Sequence, residues 1–310
     1  KNHNEAVKYY KKAAEQGIDY AQYNLSLCYE NGDGIDKDLK EAVKWCGKAA
    51  EQGYSDAQNN LGDYYYCGRG TSKDYAKAAQ WYKKAAIKGN ISAQYNLAFC
   101  YENGKGVGRG AKEAFKWYNK AAEQGDSDAQ YELGIKYELG SGVDKDLTKA
   151  FNWYQKSAKQ GLAVAQYEMG NCYYFGKGTS VNKTEAVKWY HKASAQNNAD
   201  ALYNLASCYE YGKGTTADKN KAITFYRQSA KLGDAMALNK LGDCYLKGNM
   251  VKKDHKKAFA LLKKSADKGL TNGLYNLAIA YANGYGTKKN LQEAFKLFQK
   301  AALKGSACAQ

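Results

Sequence analysis

No proline occurs anywhere among the 310 residues, so no helix has to be kinked by a missing backbone donor. Histidine is scarce as well, with His3, His191 and His255 far apart in the chain. That spacing suggests neither a metal pair nor a catalytic triad. No stretch approaches the roughly 18 apolar residues that a membrane-spanning helix needs. The opening KNHNEAVKYY has no apolar core of signal-peptide type. The run KGVGRG at 105–110 has phosphate-loop glycines but follows no strand signal. NGDGIDKD at 31–38 lacks the ligand spacing and closing glutamate of a calcium loop. With no nucleophile beside a base and no cofactor motif, the expectation is a protein that is not an enzyme. No catalytic residue, no metal and no cofactor is expected.

What the chain does have is a period. Glycine recurs every 36 residues at Gly17, Gly53, Gly89, Gly125, Gly161, Gly233, Gly269 and Gly305, with Asn197 in the one gap. Tyrosine keeps the same step from Tyr29 to Tyr281, and every tryptophan belongs to a third series: Trp45, Trp81, Trp117, Trp153 and Trp189. A period of this size marks a repeat array, in which length reflects repeat number rather than domain number. The division expected is one solenoid over 1–310: a half-repeat at 1–16, eight full repeats over 17–304 and a stub at 305–310. Neither end shows a polar capping face, so both ends read as cut from a longer protein. Such ends can stack between molecules, giving either a monomer or end-to-end association.

The third repeat, residues 89–124, shows the physics of one unit. Gly89 supplies the left-handed residue that ends the preceding helix. Asn90 can cap the next one, as can Asp126, Asn198, Asp234 and Ser306 in the same register. Ala93, Leu97 and Tyr101 then fall at helical spacing, and Gly104 and Gly106 make the turn. A second helix starts at the register of Asp38, Asp74, Asp146, Asn182, Asp218, Asp254 and Asn290, where only Gly110 lacks a capping side chain. Glutamates three residues on predict capping boxes at Asp38–Glu41, Asn182–Glu185 and Asn290–Glu293, and Asn2–Glu5 repeats the pattern. Ala114, Trp117, Tyr118, Ala121 and Ala122 form its apolar side. The expected fold class is therefore all-α: antiparallel αα-hairpins stacked into an α-solenoid with a 36-residue period.

The run A-x-x-x-L-x-x-x-Y-x-x-G-x-G followed by D-x-x-x-A-x-x-W-Y-x-K-A-A-x-x-G resembles the Sel-like repeat (SLR), a relative of the tetratricopeptide repeat. The resemblance covers essentially the whole chain. It implies a right-handed superhelix and a role as an adaptor that holds proteins together. Phe225, Leu261 and Leu297 depart from it by replacing tryptophan in the last three repeats. The paired cysteines of the cysteine-rich bacterial members are also missing.

Eight cysteines could be disulfide material. However, Cys28, Cys100, Cys172, Cys208 and Cys244 share one register, so neighbours stand at least a helix spacing apart, beyond the ~7 Å reach of a disulfide. Together with the scattered Cys46, Cys67 and Cys308 they read as reduced apolar fillers, which predicts a cytoplasmic protein.

A partner has one natural place to bind. By analogy with related solenoids the first helices line a concave groove. The register of Phe99 runs Leu27, Asp63, Phe99, Ile135, Asn171, Ser207, Asp243, Ile279, and that of Asn103 includes Leu139, Phe175 and Tyr211. Scaffold positions repeat their residue and these do not. The expected partner-binding residues are Leu27, Asn96, Phe99, Ile135, Leu139, Phe175, Asn204 and Tyr211, gripping a protein or peptide. The groove asparagines have a second reading, as scaffold side chains bonded locally.

Charge raises the alternative. With 47 Lys and Arg against 31 Asp and Glu, the formal net charge is +16. Lys12, Lys48, Lys84, Lys120, Lys156, Lys192, Lys264 and Lys300 recur at one place on the second helix, read as a solvated ladder opposite its apolar stripe. Binding of RNA or anionic partners by that basic convex face is the competing function. Nucleic acid is disfavoured as principal ligand, because the Gly-x-Gly turn and Trp-Tyr pair do not resemble base-reading pentatricopeptide repeats.

Overall fold

The computed structural model describes residues 3–305; the expected caps at Asn2 and Ser306, and Cys308, lie outside the described residues. These residues form seventeen α-helices of 13 residues, with no strand among them. In order they are α1 (His3–Glu15), α2 (Asp19–Asn31), α3 (Leu39–Glu51), α4 (Ser55–Cys67), α5 (Tyr75–Ile87), α6 (Ile91–Asn103), α7 (Ala111–Glu123), α8 (Ser127–Leu139) and α9 (Leu147–Lys159). Then come α10 (Ala163–Phe175), α11 (Lys183–Ala195), α12 (Ala199–Tyr211), α13 (Lys219–Lys231), α14 (Ala235–Lys247), α15 (His255–Asp267), α16 (Thr271–Asn283) and α17 (Leu291–Leu303). Helices α2, α4, α6, α10, α12, α14 and α16 each pack most closely on the odd-numbered helix that follows, so the architecture is a solenoid of αα-hairpins. The chain falls into two compact units, one reaching residue 156 and the other starting at 157.

Each hairpin is built by its end residues. Gly104 ends α6 in the left-handed conformation, with its N–H donating to the Cys100 carbonyl. Gly106, also at positive φ, lies so close to the carbonyl of Tyr75 in α5 that no β-carbon could be placed there. The second glycine of the turn is thus a contact between successive hairpins as well as a bend. Met250 holds this register in the seventh repeat and still adopts φ 63°. Asn197 does the same, at φ 60°, where seven other repeats use glycine.

The predicted caps form at the odd helices: Asp38, Asp74, Asn182, Asp218, Asp254 and Asn290 accept from backbone N–H groups of the first turn. At the even helices Asn90, Asp126, Asn198 and Asp234 do the same. The expected capping boxes close in one direction only. The N–H of Asp38, Asn182 and Asn290 is already donated to the carbonyl of Tyr29, Tyr173 and Tyr281 in the preceding helix. The glutamates turn outward instead and pair with Lys44, Lys188 and Lys296.

Small residues set the spacing between helices. Ala93, Leu97, Ala98 and Cys100 of α6 are fully buried against Ala114, Tyr118, Ala121 and Ala122 of α7. Among the described cysteines none is disulfide-bonded, and Cys46, Cys100, Cys172, Cys208 and Cys244 are buried. Cys67 departs from the expected filler role: it sits on the last turn of α4 and is exposed.

Candidate functional site

The first helices bury part of their surface and present the rest, and a tyrosine from five of the second helices helps set what the presented face contains. Tyr82, Tyr118, Tyr154, Tyr190 and Tyr226 share one register and are buried. Each hydroxyl needs an acceptor, since a buried unpaired polar group costs about 1–3 kcal/mol. Tyr118, Tyr154 and Tyr226 donate to Glu102, Glu138 and Glu210 at 2.8–2.9 Å. Where that glutamate is replaced by Tyr66 or Tyr174, the acceptor moves to the variable register of Phe99. Tyr82 then donates to Asp63 at 2.7 Å and Tyr190 to Asn171 at 2.8 Å. Two members of the variable register are therefore scaffold acceptors. Burial pushes the Asp63 carboxyl above its ordinary range, against the opposing effect of the Tyr82 hydrogen bond.

In the first unit these groups line a cleft of ≈ 240 Å3 formed by Asp63, Tyr66, Tyr82, Tyr95, Asn96 and Phe99. Tyr66 meets Phe99 edge-on at 6.4 Å, and Tyr95 meets Tyr118 at 5.4 Å. Burial raises the Tyr95 hydroxyl to about 12, so it remains a neutral donor across the physiological range. Asn96 donates to Asn59 at 3.1 Å and lies 3.4 Å from Asp63. The walls are aromatic and the floor offers oxygen acceptors. That combination suits a side chain or backbone segment carrying N–H donors.

The other expected residues are distributed as follows. Leu27 and Ile135 are half-buried, while Phe99 is 38% and Leu139 70% exposed in the first unit. In the second unit Phe175 is 62% and Tyr211 58% exposed, each at the end of its helix. Phe175 packs edge-on against Tyr174, and the Tyr211 hydroxyl lies 3.3 Å from Lys240 Nζ. Asn204 is half-buried and donates weakly to Asn171 at 3.4 Å. Asn60 bonds Tyr23, and Asn276 bonds Asn239 of the preceding hairpin. These asparagines tie successive first helices together, a task their regular recurrence signals.

Sequence reasoning missed Lys136. It stands at the register of the buried cysteines, yet its side chain is nearly fully enclosed, paired with Glu102 and, at 3.6 Å, with Glu132. Its signal was a lysine in a register otherwise occupied by cysteine, Tyr64 and Ala280.

The lysine ladder also differs from expectation. Lys48, Lys84, Lys120, Lys156 and Lys192 do not point away from the apolar stripe. Each folds over the tryptophan three residues before it, with Nζ 3.7–4.5 Å from the ring centroid. The indole face attracts the ammonium, and the lysine stem covers the ring edge. Other lysines pair with caps, as Lys77 does with Asp74 and Lys257 with Asp254. Among the described residues no group of three or more potential metal ligands occurs, and no helix is long and apolar enough to cross a membrane.

Stacked 36-residue hairpins with a Trp-Tyr second helix and Gly-x-Gly turns define a class of repeat protein, and comparison with known proteins gives the particular family. The Sel1 repeat model matches residues 1–18, 19–54, 55–90, 91–126, 127–162, 163–198, 199–234, 235–270 and 271–306. The chain belongs to the Sel1 repeat family. Among solved structures it is similar to c5321, a protective antigen of uropathogenic Escherichia coli with an SLR fold. That match has 37% identity and a TM-score of 0.86, and it covers 98% of this chain but 65% of that one. It is also similar to a Sel1 repeat protein from Oxalobacter formigenes, at 30% identity and a TM-score of 0.76, covering 97% of this chain and 87% of that one. No curated protein sequence matches the chain. Sel1 repeat proteins generally mediate protein–protein interaction and are generally non-catalytic.

Proposed function

We propose that this chain is a non-enzymatic adaptor that binds a protein or peptide partner along the presented face of its first helices. The observation that carries the reading is the exposure of Phe99, Leu139, Phe175 and Tyr211 in registers whose residue varies from repeat to repeat. Large apolar side chains recurring in exposed positions mark partner surfaces. In the first unit the cleft beside Phe99 adds Tyr95 and Asn96 as polar groups beside the aromatic walls. Expected contacts are Leu27, Asn96, Phe99, Ile135 and Leu139 in the first unit, and Phe175, Asn204 and Tyr211 in the second.

The test is capture from a native lysate by the wild type beside Phe99→Ser and Phe175→Ser variants, at low and high salt. Proteins retained at high salt and lost with either variant, while helix content and melting temperature stay unchanged, are the expected result. Capture limited to RNA or acidic proteins, released by salt and indifferent to both variants, would favour the basic second-helix face instead.

A further inference from the structure

Trp45 has a seat built by α1 and by α2, its own hairpin partner. Trp45 sits on Val7, Ala14, Ala21 and Leu25, with Lys48 Nζ 3.9 Å above its ring. The same register in α15 places Leu261 where tryptophan stood and Lys264 where the covering lysine stood. Ala230 and Leu241 occupy the registers of Ala14 and Leu25. Leucine is much smaller than an indole ring, and the seat remains as a cleft of ≈ 480 Å3 with a floor of Leu238, Leu241 and Leu261.

The charge of this place has changed along with its shape. Arg227, Lys231, Lys257 and Lys264 line the cleft, and no acidic residue does. Lys231 and Lys257 stand in the registers that hold Glu15 and Glu41 earlier in the chain. Helix α13 contains no acidic residue, and α15 has one, Asp267, at its far end. Lys257 is held in part by Asp254 at 3.4 Å, and Arg227 by the Tyr245 hydroxyl at 3.4 Å. Lys264 has lost the ring that its counterparts cover. The neighbouring seat holds Phe225, stacked on Tyr209 with centroids 5.7 Å apart; it too is open, as a cleft of ≈ 630 Å3, but Lys231 is the one lysine in its lining and Gln228 stands where Lys264 stands at the Leu261 seat.

We propose that the vacated seat at Leu261 docks an aromatic side chain, tryptophan foremost, carried on an acidic segment of a protein partner. The ring takes the space that the chain's own indole takes in five other repeats. Lys264 covers it as the other lysines cover theirs, and carboxylates beside the ring meet Arg227, Lys231 and Lys257. This site lies on the second-helix side and is independent of the first-helix reading above.

The experiment follows the methyl NMR signals of Leu238, Leu241 and Leu261 during titration with acetyl-Glu-Asp-Trp-Glu-Asp-amide and with its alanine-centred counterpart. The tryptophan peptide should shift these methyls in a saturable way, and the alanine peptide should not. Leu261→Trp closes the seat with the residue that five repeats already use; it should abolish the shifts and keep the melting temperature. Lys264→Glu, a change at an exposed side chain, should weaken binding about tenfold through loss of the cation–π contact and charge reversal. No methyl shift with the tryptophan peptide would overturn the proposal, as would equal shifts from both peptides. Undiminished binding by either variant would also overturn it. Equal affinity for indole-3-acetate would mark a small-molecule site and overturn the peptide assignment.

Discussion

Asp63 and Asn171 occupy one register and accept from one buried tyrosine register, but only the aspartate can ionise. Desolvation raises the Asp63 carboxyl above its ordinary value. A carboxyl raised in the folded state binds more protons there than in the unfolded chain, so it lowers stability as pH rises from the ordinary carboxylate range through the raised value. Asp63→Asn should therefore remove that decline and leave the fold at least as stable near neutral pH, because Asn171 already shows that an amide oxygen satisfies the hydroxyl. Chemical denaturation of both proteins between pH 3 and 8, a window set by ordinary carboxylate titration, checks this; a variant less stable at pH 7 would show that the charge itself is needed. Leu27, Phe99 and Ile135 share this register, so its variation reports two pressures together. The sequence shows the variation directly. Which members serve a tyrosine and which are free for a partner depends on whether Glu or Tyr stands three residues on, and that follows only from the packed geometry.

At the scale of the hairpin, the turn glycines have unequal burdens. Gly104 needs only its left-handed backbone, whereas Gly106 also lies against Tyr75 of the preceding hairpin with no room for a β-carbon. Gly106→Ala should cost more than the ~1–3 kcal/mol of left-handed strain alone, because the clash is with backbone and cannot be relieved by a rotamer change. Met250, at the same register, should tolerate Gly, since glycine relaxes the strained φ while giving up the side-chain packing. Urea melts of Gly106→Ala and Met250→Gly separate the two effects: a loss from Gly106→Ala no larger than about 1 kcal/mol would mean the hairpins can move apart there. Both glycines were legible from their period. Their different physical duties were not, because the second one's neighbour lies about thirty residues upstream.

Across the molecule, stability in a repeat array is close to a sum of hairpin terms and nearest-neighbour interfaces. Leu97 is fully buried in α6, so Leu97→Ala should cost about 2–5 kcal/mol. The loss should appear locally. Amide exchange is expected to quicken in α5, α6 and α7 and to stay near wild type in α14 to α17. A uniform rise over all helices would show global cooperativity instead. The net charge of +16 is likewise a property of the whole chain whose meaning depends on placement. Five of the ladder lysines cover tryptophan rings, and several others are tied to helix caps.

By itself the sequence determined the period, the hairpin, the caps and the buried alanine and leucine registers, because these depend on contacts within one unit or between identical neighbours. The same local interactions recur in every repeat, so one unit read correctly predicts the rest. Only the tertiary structure decided where the exceptions go. It placed Tyr82 on Asp63, enclosed Lys136 between two glutamates, turned the lysines onto indole faces and left the Leu261 seat open. Each of these depends on which side chains of successive helices meet, and a register read within one helix does not contain that information.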